Sequence, residues 1–347
     1  MKKVLAILLA LVLCLSITGA LAAEKIGVSM PTQSLQRWNQ DGENMKAKLI
    51  EAGFEVDLQF ANDDVATQVT QLEAMIAGGC KVLVISAING GSLGTVLADA
   101  KAAGVTVIAY DRLIMDTDAV SYYATFDNYM VGTIQGKYIE SALDLQNAAG
   151  PFNMEIVAGD PGDNNALYFY QGAIDVLKPY IDSGKIVIPS GQLEFAAVAT
   201  PTWKTDIAQA RMDNLIAAFY TGGTKLDAVL CSNDSTALGA TNSLAAAGFE
   251  TFPIITGQDC DIANTKNIIA GKQSMSIFKD TRTLAEKVVG MVQAIMKGEK
   301  PEINDEKTYN NNVFVVPTYL CAPVFADVNN YKELLIDSGY YTEDQLK

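Results

Sequence analysis

The stretch KVLVISAINGGSLGTVLADAKAAGVTVIAYD, residues 81 to 111, decides the fold. It begins with a fully apolar run, continues through a helical pattern that stops at Gly104, and ends in a second apolar, β-branched run. Two such runs separated by one helix predict a β-α-β unit, whose strands lie parallel in one sheet. An acid and a base, Asp111 and Arg112, follow the second strand directly.

The same alternation extends along the chain in both directions from this unit. KIGVSM and FEVDLQF read as strands upstream, and the second half of the chain repeats the order of strands and helices. In the closest repeat, LAAAGFETFPIITGQD matches AKAAGVTVIAYD as a helix, a glycine stop, an apolar strand and then an aspartate. At 347 residues the chain also exceeds one ordinary core. We therefore predict an α/β fold of two similar lobes, each built on a parallel sheet.

The chain has more predicted strands and helices beyond Asp259 than two equal lobes would require. This surplus suggests that the chain crosses between the lobes more than once. Its last apolar stretch, VFVVPTYLCAPV, contains prolines that suit an edge strand or a linker rather than a central strand. The predicted division places residues 23–126 and 280–305 in an N-terminal lobe, and residues 127–279 and 306–347 in a C-terminal lobe.

Composition excludes several functions. Forty acidic residues against 25 basic ones give a formal net charge of −15, which repels nucleic acid and anionic lipid. The chain has no histidine, so Ser-His-Asp and Cys-His catalysis and histidine-rich metal sites are excluded. Four cysteines lie beyond residue 22 without C-x-x-C spacing, and we interpret them as small buried hydrophobes, with a disulfide as the alternative: Cys80, Cys231, Cys260 and Cys321.

Residues 1–22 have the pattern of a secretory signal peptide. Two lysines precede an apolar run from Val4 to Leu15, and Ala-Leu-Ala at 20–22 offers a cleavage site. The run is too short for a membrane anchor, which needs about 20 residues. A bulky leucine before Cys14 disfavours a lipoprotein. We therefore predict an exported, unanchored protein in the periplasm, or at the extracellular face of a cell with a single membrane.

Polar and aromatic residues concentrate where the predicted strands end, the place where parallel sheets bind ligands. Planar donors and acceptors beside aromatic faces are typical of a site for a polyhydroxylated ring, because they satisfy its hydroxyl groups and cover its C–H patches. The residues at these predicted strand ends are Arg37 and Trp38 in the first loop, Asn89, Asp111, Arg112, Asn164, Asn165, Trp203, Asn233, Asp234, Asp259, Lys279 and Asp280.

Each of these residue types also has a structural explanation. An aspartate after a strand is most often a helix N-cap, as Asp63, Asp64 and Asp280 could be. A lone tryptophan usually packs in a core, and Asp111 with Arg112 could form a weak surface ion pair. The coincidence of so many at strand ends favours a binding site. NGGSLG lacks the G-x-G-x-x-G spacing and the lysine of a nucleotide loop.

At these residues the chain resembles the periplasmic sugar-binding proteins of ABC importers, in the branch of the multiple sugar-binding and D-xylose-binding proteins. The resemblance spans the mature chain and rests on KIGVSMPT, KVLVISAINGGSL, VIAYDRLI, VSYYATFDN, IFKDTR and GYYTEDQLK. It implies two Rossmann-like lobes joined by three hinge strands, which close around one monosaccharide. The sugar contacts that it implies are Arg37, Trp38, Asp111, Arg112, Asn165, Trp203, Asn233, Asp259 and Lys279. It also implies a monomer without metal or cofactor, an ABC permease as partner, and a chemoreceptor as a further candidate partner.

Departures from the family pattern leave the sugar open between a pentose and a hexose. Lys204 stands where relatives often have an aspartate, and the loop with Asp163 and Asn164 varies among branches. A glycoside hydrolase that uses Asp111 and Asp259 as acid and base is the alternative function. A cleft that surrounds a whole monosaccharide leaves no room for an aglycone, which argues against it. A sugar-responsive transcription regulator would need a basic helix-turn-helix where this chain has the signal-peptide pattern.

Overall fold

The computed structural model describes residues 23–347, and the predicted signal peptide at residues 1–22 lies outside this range. The larger of its two parallel sheets is formed by β1 (Lys25–Met30), β2 (Glu55–Phe60), β3 (Val82–Ile85), β4 (Thr106–Tyr110), β5 (Val120–Phe126) and β11 (Thr318–Cys321). Its spatial order is β11-β5-β4-β3-β1-β2, and every pairing is parallel. This sheet contains the β-α-β unit of residues 81 to 111.

The second sheet is formed by β6 (Phe152–Val157), β7 (Ile186–Val187), β8 (Ala228–Cys231) and β9 (Ile254–Ile255), in the parallel order β7-β6-β8-β9. A separate antiparallel pair joins β10 (Met275–Phe278) and β12 (Val324–Asp327). One bridge between Gln258 and Ile277 connects the end of the second sheet to β10. The prediction of an α/β fold with two parallel sheets is confirmed.

Helices follow the strands and cover the sheets. They are α1 (Gln36–Glu51), α2 (Val65–Ala77), α3 (Gly94–Ala102), α4 (Asn128–Ala142), α5 (Asn164–Asp182), α6 (Phe195–Val198), α7 (Thr205–Phe219), α8 (Asp234–Ala246), α9 (Ile262–Ile269) and α10 (Thr281–Met296). Asp64 and Asp280 cap α2 and α10 by accepting from backbone N–H groups, so the N-cap interpretation is confirmed for both. None of the helices within residues 23–347 has the length and apolar character needed to cross a membrane.

Each sheet is buried on both faces, as its nearly continuous apolar strands require. In β3, all four residues are buried: Leu83 faces the core beneath α2 and α3, whereas Val84 faces the core beneath α1 and α10. The second sheet packs α4 and α5 on one face and α7 and α8 on the other. The four cysteines of the described residues are free and buried, three in these cores and Cys260 in a separate cluster with Phe278 and Tyr341, which confirms their predicted burial.

The chain passes between the sheets three times. The first passage follows β5, and the second leads from β10 into α10, which packs on the larger sheet. The third lies between β11 and β12, because β11 pairs with β5 at the edge of the larger sheet. This strand therefore departs from the predicted assignment of 306–347 to the C-terminal lobe. Prolines on either side, Pro317 and Pro323, suit an edge strand, but they do not say which sheet it joins.

Candidate functional site

The nine predicted site residues line a single cavity between the two lobes. It comprises about 420 Å³ of space, its opening to solvent included, and lies beyond the carboxyl ends of the strands. Arg37 and Trp38 reach it from the first turn of α1, so their predicted placement in a loop is wrong. The helix begins without a side-chain cap at Leu35, and the sequence therefore carries no signal for its start.

Four charges form the centre of the cavity, and they bridge the lobes. The two terminal nitrogens of Arg37 donate to the Oδ1 atoms of Asp111 (2.5 Å) and Asp259 (3.0 Å). Lys279 places its Nζ 3.2 Å from Asp259 Oδ1 and 3.7 Å from Asp111 Oδ1. All four residues are almost wholly shielded from solvent. Asp111, which follows β4, and Asp259, which lies beyond β9, are thus held by the same two cations.

This environment determines the ionisation of Asp111. Burial acts to raise the pKa of its carboxyl group, but the neighbouring cations, Arg37 first among them, outweigh burial and hold the pKa below its ordinary value. Asp111 is therefore a carboxylate at neutral pH and an acceptor of hydrogen bonds. A glycosidase acid needs the opposite shift, so this geometry offers no support for the hydrolase alternative.

Arg112 does not pair with the neighbouring Asp111. Its Nε lies 3.0 Å from Asp163 Oδ2 in the other lobe, and NH1 donates to the backbone carbonyls of Ala87 and Ile88. Arg112 is only 6% exposed, so the surface-pair interpretation is wrong. Burial raises the pKa of Asp163, and the charge of Arg112 opposes that effect.

The two tryptophans line the cavity from different lobes. The guanidinium carbons of Arg37 and Arg112 each lie 5.0 Å from the centroid of Trp38, which places cations over an aromatic face. Trp203 lies so close to Gly159 that a Cβ there would be 1.9 Å from the indole ring. Its Nε1 donates to Asp163 Oδ2 at 3.3 Å. Trp203 therefore packs as a core residue would and also faces the cavity.

The two asparagines contribute in different ways. Asn165 donates from Nδ2 to the carbonyl of Asp111 at 2.6 Å and so joins the lobes. Asn233 is the N-cap of α8: its Oδ1 accepts from the backbone N–H of Thr236 at 3.0 Å and from the Ser235 hydroxyl at 3.0 Å. Asn233 is therefore a helix cap whose side chain also lines the cavity.

Six further residues line the cavity without having been predicted as contacts: Leu35, Asp163, Phe169, Ser235, Gln258 and Asp261. Three of them, Ser235, Asp261 and Phe169, follow a predicted residue by two or four positions. They could have been found by extending each predicted contact by a few residues along the chain. Asp261 has a buried Oδ1 that accepts no hydrogen bond from the described residues, and burial first and Asp259 second raise its pKa to about 7. Within residues 23–347, no group of three or more His, Cys, Asp or Glu side chains is placed to hold a metal ion.

Comparisons with known proteins agree with this architecture. The chain is 50% identical over 337 residues to the multiple sugar-binding periplasmic receptor ChvE of Rhizobium radiobacter, covering 95% of each chain. It is 36% identical over 347 residues to the D-xylose-binding periplasmic protein of Escherichia coli K12, covering 99% of this chain and 100% of that protein.

The crystal structure of an ABC transporter solute-binding protein from Clostridium phytofermentans, with bound β-D-glucose, superimposes with a TM-score of 0.92. Its sequence is 67% identical, and the match covers 93% of this chain and 100% of that one. The profile of the periplasmic binding protein domain matches residues 26–300. With its two parallel α/β sheets and the cavity between them, this chain belongs to the periplasmic binding protein family.

Proposed function

We propose that this protein is an extracytoplasmic solute receptor that binds one monosaccharide, a pentose or a hexose, in the cavity between the lobes. The observation that carries this proposal is the convergence of four aspartates, three cations and two tryptophans on that cavity, in a chain 67% identical to a solute-binding protein with bound β-D-glucose. We propose no catalytic role, because these groups are suited to holding hydroxyl groups rather than to cleaving a bond.

The donors and acceptors of the site match a neutral sugar. Asp111 and Asp259 accept from hydroxyl hydrogens, while Arg112 and Lys279 donate to hydroxyl and ring oxygens. Each net hydrogen bond with a charged partner contributes roughly 1.5–3 kcal/mol. Among the described residues, protein donors reach the carboxylate of Asp111 only at Oδ1, so its Oδ2 is available to a ligand.

Closure of the lobes links binding to delivery. Contacts such as Arg37 to Asp259 and Asn165 to Asp111 join the lobes across the cavity, and a sugar bound there would add bridges of its own. A ligand favours the closed state by the difference between its affinities for the closed and open states. We propose that a monomer in this closed state delivers sugar to an ABC permease, and that a chemoreceptor is a second candidate partner. The proposed location is the periplasm, after export by residues 1–22.

Isothermal titration of protein that has been unfolded, freed of carried ligand and refolded tests the proposal. The panel contains D-glucose, D-galactose, D-xylose and L-arabinose. We expect saturable binding of at least one sugar, and a dissociation constant raised at least about tenfold in Asp259→Asn, since one charge-assisted bond is lost. Asparagine tolerates the left-handed backbone of Asp259, where φ is 98°.

Asp64→Asn is the matched control, because this exposed aspartate also follows a strand and caps a helix, and asparagine caps equally well. Its affinity for sugar should equal that of the wild type. If no sugar binds to the wild type, or if Asp259→Asn binds as tightly as the control, the proposal is refuted. Nitrophenol release from aryl glycosides by the wild type would instead support the hydrolase.

A further inference from the structure

Arg37 forms an ion pair with Asp41, a carboxylate that does not line the cavity. Asp41 lies four residues further along α1, on the same helix face, and is wholly buried. Its Oδ2 accepts from Arg37 Nε at 2.9 Å, while its Oδ1 accepts from the hydroxyl of Tyr110, the last residue of β4. Asp41 therefore has one donor on each oxygen and contributes nothing to the cavity lining.

The electrostatics of this arrangement favour a fixed orientation of the Asp41 carboxylate and the Tyr110 hydroxyl. Burial raises the pKa of Asp41, and the charge of Arg37 and the hydroxyl of Tyr110 oppose that rise. Burial and Asp41 raise the pKa of Tyr110 well above its ordinary value, so the phenol keeps its proton and remains a donor. Tyr110 is itself wholly buried and has no freedom to turn towards solvent.

Fixing one nitrogen of a guanidinium fixes the other two, because the group is a rigid plane. With Nε committed to Asp41, the two terminal nitrogens of Arg37 point towards Asp111 and Asp259 in the two lobes. An arginine without this restraint would have to lose additional rotamer freedom when the cleft closes, at a cost in affinity.

We propose that Asp41, supported by Tyr110, is a positioning residue of the sugar site: it sets ligand affinity through Arg37 without contacting the ligand. This inference rests on the proposed function, since it concerns affinity for a monosaccharide. The competing explanation is that Asp41 only stabilises the fold, as any buried carboxylate with satisfied oxygens does.

The second lobe offers a matched control for that explanation. Glu155 is a wholly buried carboxylate that accepts from the hydroxyl of Tyr220 at 3.0 Å and from the Ser190 hydroxyl at 2.6 Å. Like Asp41 it accepts from a tyrosine hydroxyl, but its other donors are the hydroxyl and backbone N–H of Ser190 in place of a guanidinium. It does not line the cavity or contact any residue of the charged centre. Glu155→Gln should therefore lower stability without changing sugar affinity.

The test measures D-glucose dissociation constants and unfolding midpoints for the wild type, Asp41→Asn, Tyr110→Phe and Glu155→Gln. We expect Asp41→Asn to raise the dissociation constant about tenfold, equivalent to about 1.4 kcal/mol, with a smaller rise in Tyr110→Phe and none in Glu155→Gln. In an Arg37→Lys background, Asp41→Asn should add no further loss, because residues that act through one another are not additive.

The outcomes separate the two proposals. A wild type that binds D-glucose, together with Asp41→Asn and Tyr110→Phe variants of unchanged affinity, overturns the positioning role and leaves the proposed function standing. If Asp41→Asn does not fold, Tyr110→Phe decides alone, since it removes one hydroxyl group, and unchanged affinity in it overturns the role. An equal, additive loss in the Arg37→Lys background overturns it as well. A wild type that binds no sugar refutes the proposed function instead.

Discussion

Replacing Asp111 by asparagine should separate ligand affinity from fold stability. The carboxylate directly follows β4, and its Oδ1 contacts Arg37 at 2.5 Å. Asparagine has nearly the same shape and tolerates the left-handed backbone of this position, where φ is 59°. The backbone carbonyl at this position keeps its bonds from Tyr123, Thr125 and Asn165. The substitution therefore removes the charge and little else.

The two effects differ in size for an electrostatic reason. Loss of one charge-assisted hydrogen bond to a sugar hydroxyl, roughly 1.5–3 kcal/mol, raises the dissociation constant about tenfold to about a hundredfold. An uncompensated buried charge costs roughly 3–5 kcal/mol of stability. That larger cost does not apply here, because Arg37 and Lys279 keep Asp41 and Asp259 as partners. The loss of stability should stay well below that range.

Isothermal titration gives the affinity of Asp111→Asn, and urea denaturation without sugar gives its free energy of unfolding. Asp64→Asn again serves as the control, with both quantities near those of the wild type. A variant that keeps its affinity but loses more than about 3 kcal/mol of stability would refute the reasoning, since Asp111 would then be a structural residue.

Three further substitutions have distinct expected outcomes. Gly159→Ala should displace the Trp203 ring, because the new Cβ would lie 1.9 Å from it; sugar affinity should fall and tryptophan fluorescence change, and an unaltered spectrum would contradict this packing. Tyr341→Phe removes a hydroxyl that accepts from Gln36 in the first lobe at 2.6 Å and donates to the Cys260 carbonyl in the second at 3.0 Å. Stopped-flow measurement should show faster sugar dissociation from it, and equal rates would exclude a role in closure. Asp261→Asn should stabilise the ligand-free protein more at pH 8 than at pH 5. Because burial raises the pKa of this carboxyl to about 7, the folded state binds more protons than the unfolded chain between pH 4 and 7, and stability falls as pH rises through that window. Equal stabilisation in urea titrations at both pH values would contradict that pKa.

The sequence indicated which residues line the cavity better than it indicated how they pair across it. All nine contacts that the family resemblance implies line one cavity, and most of them follow strands whose carboxyl ends meet at one edge. Pairing across the cavity could not be predicted, since it depends on how closely the lobes approach. Arg112 thus stands beside Asp111 in sequence but pairs with Asp163.

The sequence has no capping residue at the start of α1, and for that reason the contact between Arg37 and Asp41 could not be predicted. Apolar residues recur at helical spacing only beyond Asp41, at Met45, Leu49 and Ile50, whereas the helix begins five residues before Asp41, at Gln36, without a side-chain cap. The five additional residues place Arg37 and Asp41 one turn apart on the same face, which creates the contact between them. The edge strand β11 was misplaced for a related reason, because four residues between prolines fit the edge of either sheet.

The backbone at Asp111 and Asp259 explains why aspartate occupies both positions. Both residues have positive φ, 59° and 98°, a conformation that costs a non-glycine residue roughly 1–3 kcal/mol. At Asp111 the cost is offset by three donors to its carbonyl, and at Asp259 the backbone N–H donates to Ile277. Glycine would adopt these angles more cheaply but would bring no carboxylate. The strain is therefore best explained by the side chain: each strand end turns so that a charged oxygen faces Arg37 and the space proposed for the sugar, in equivalent places in the two lobes.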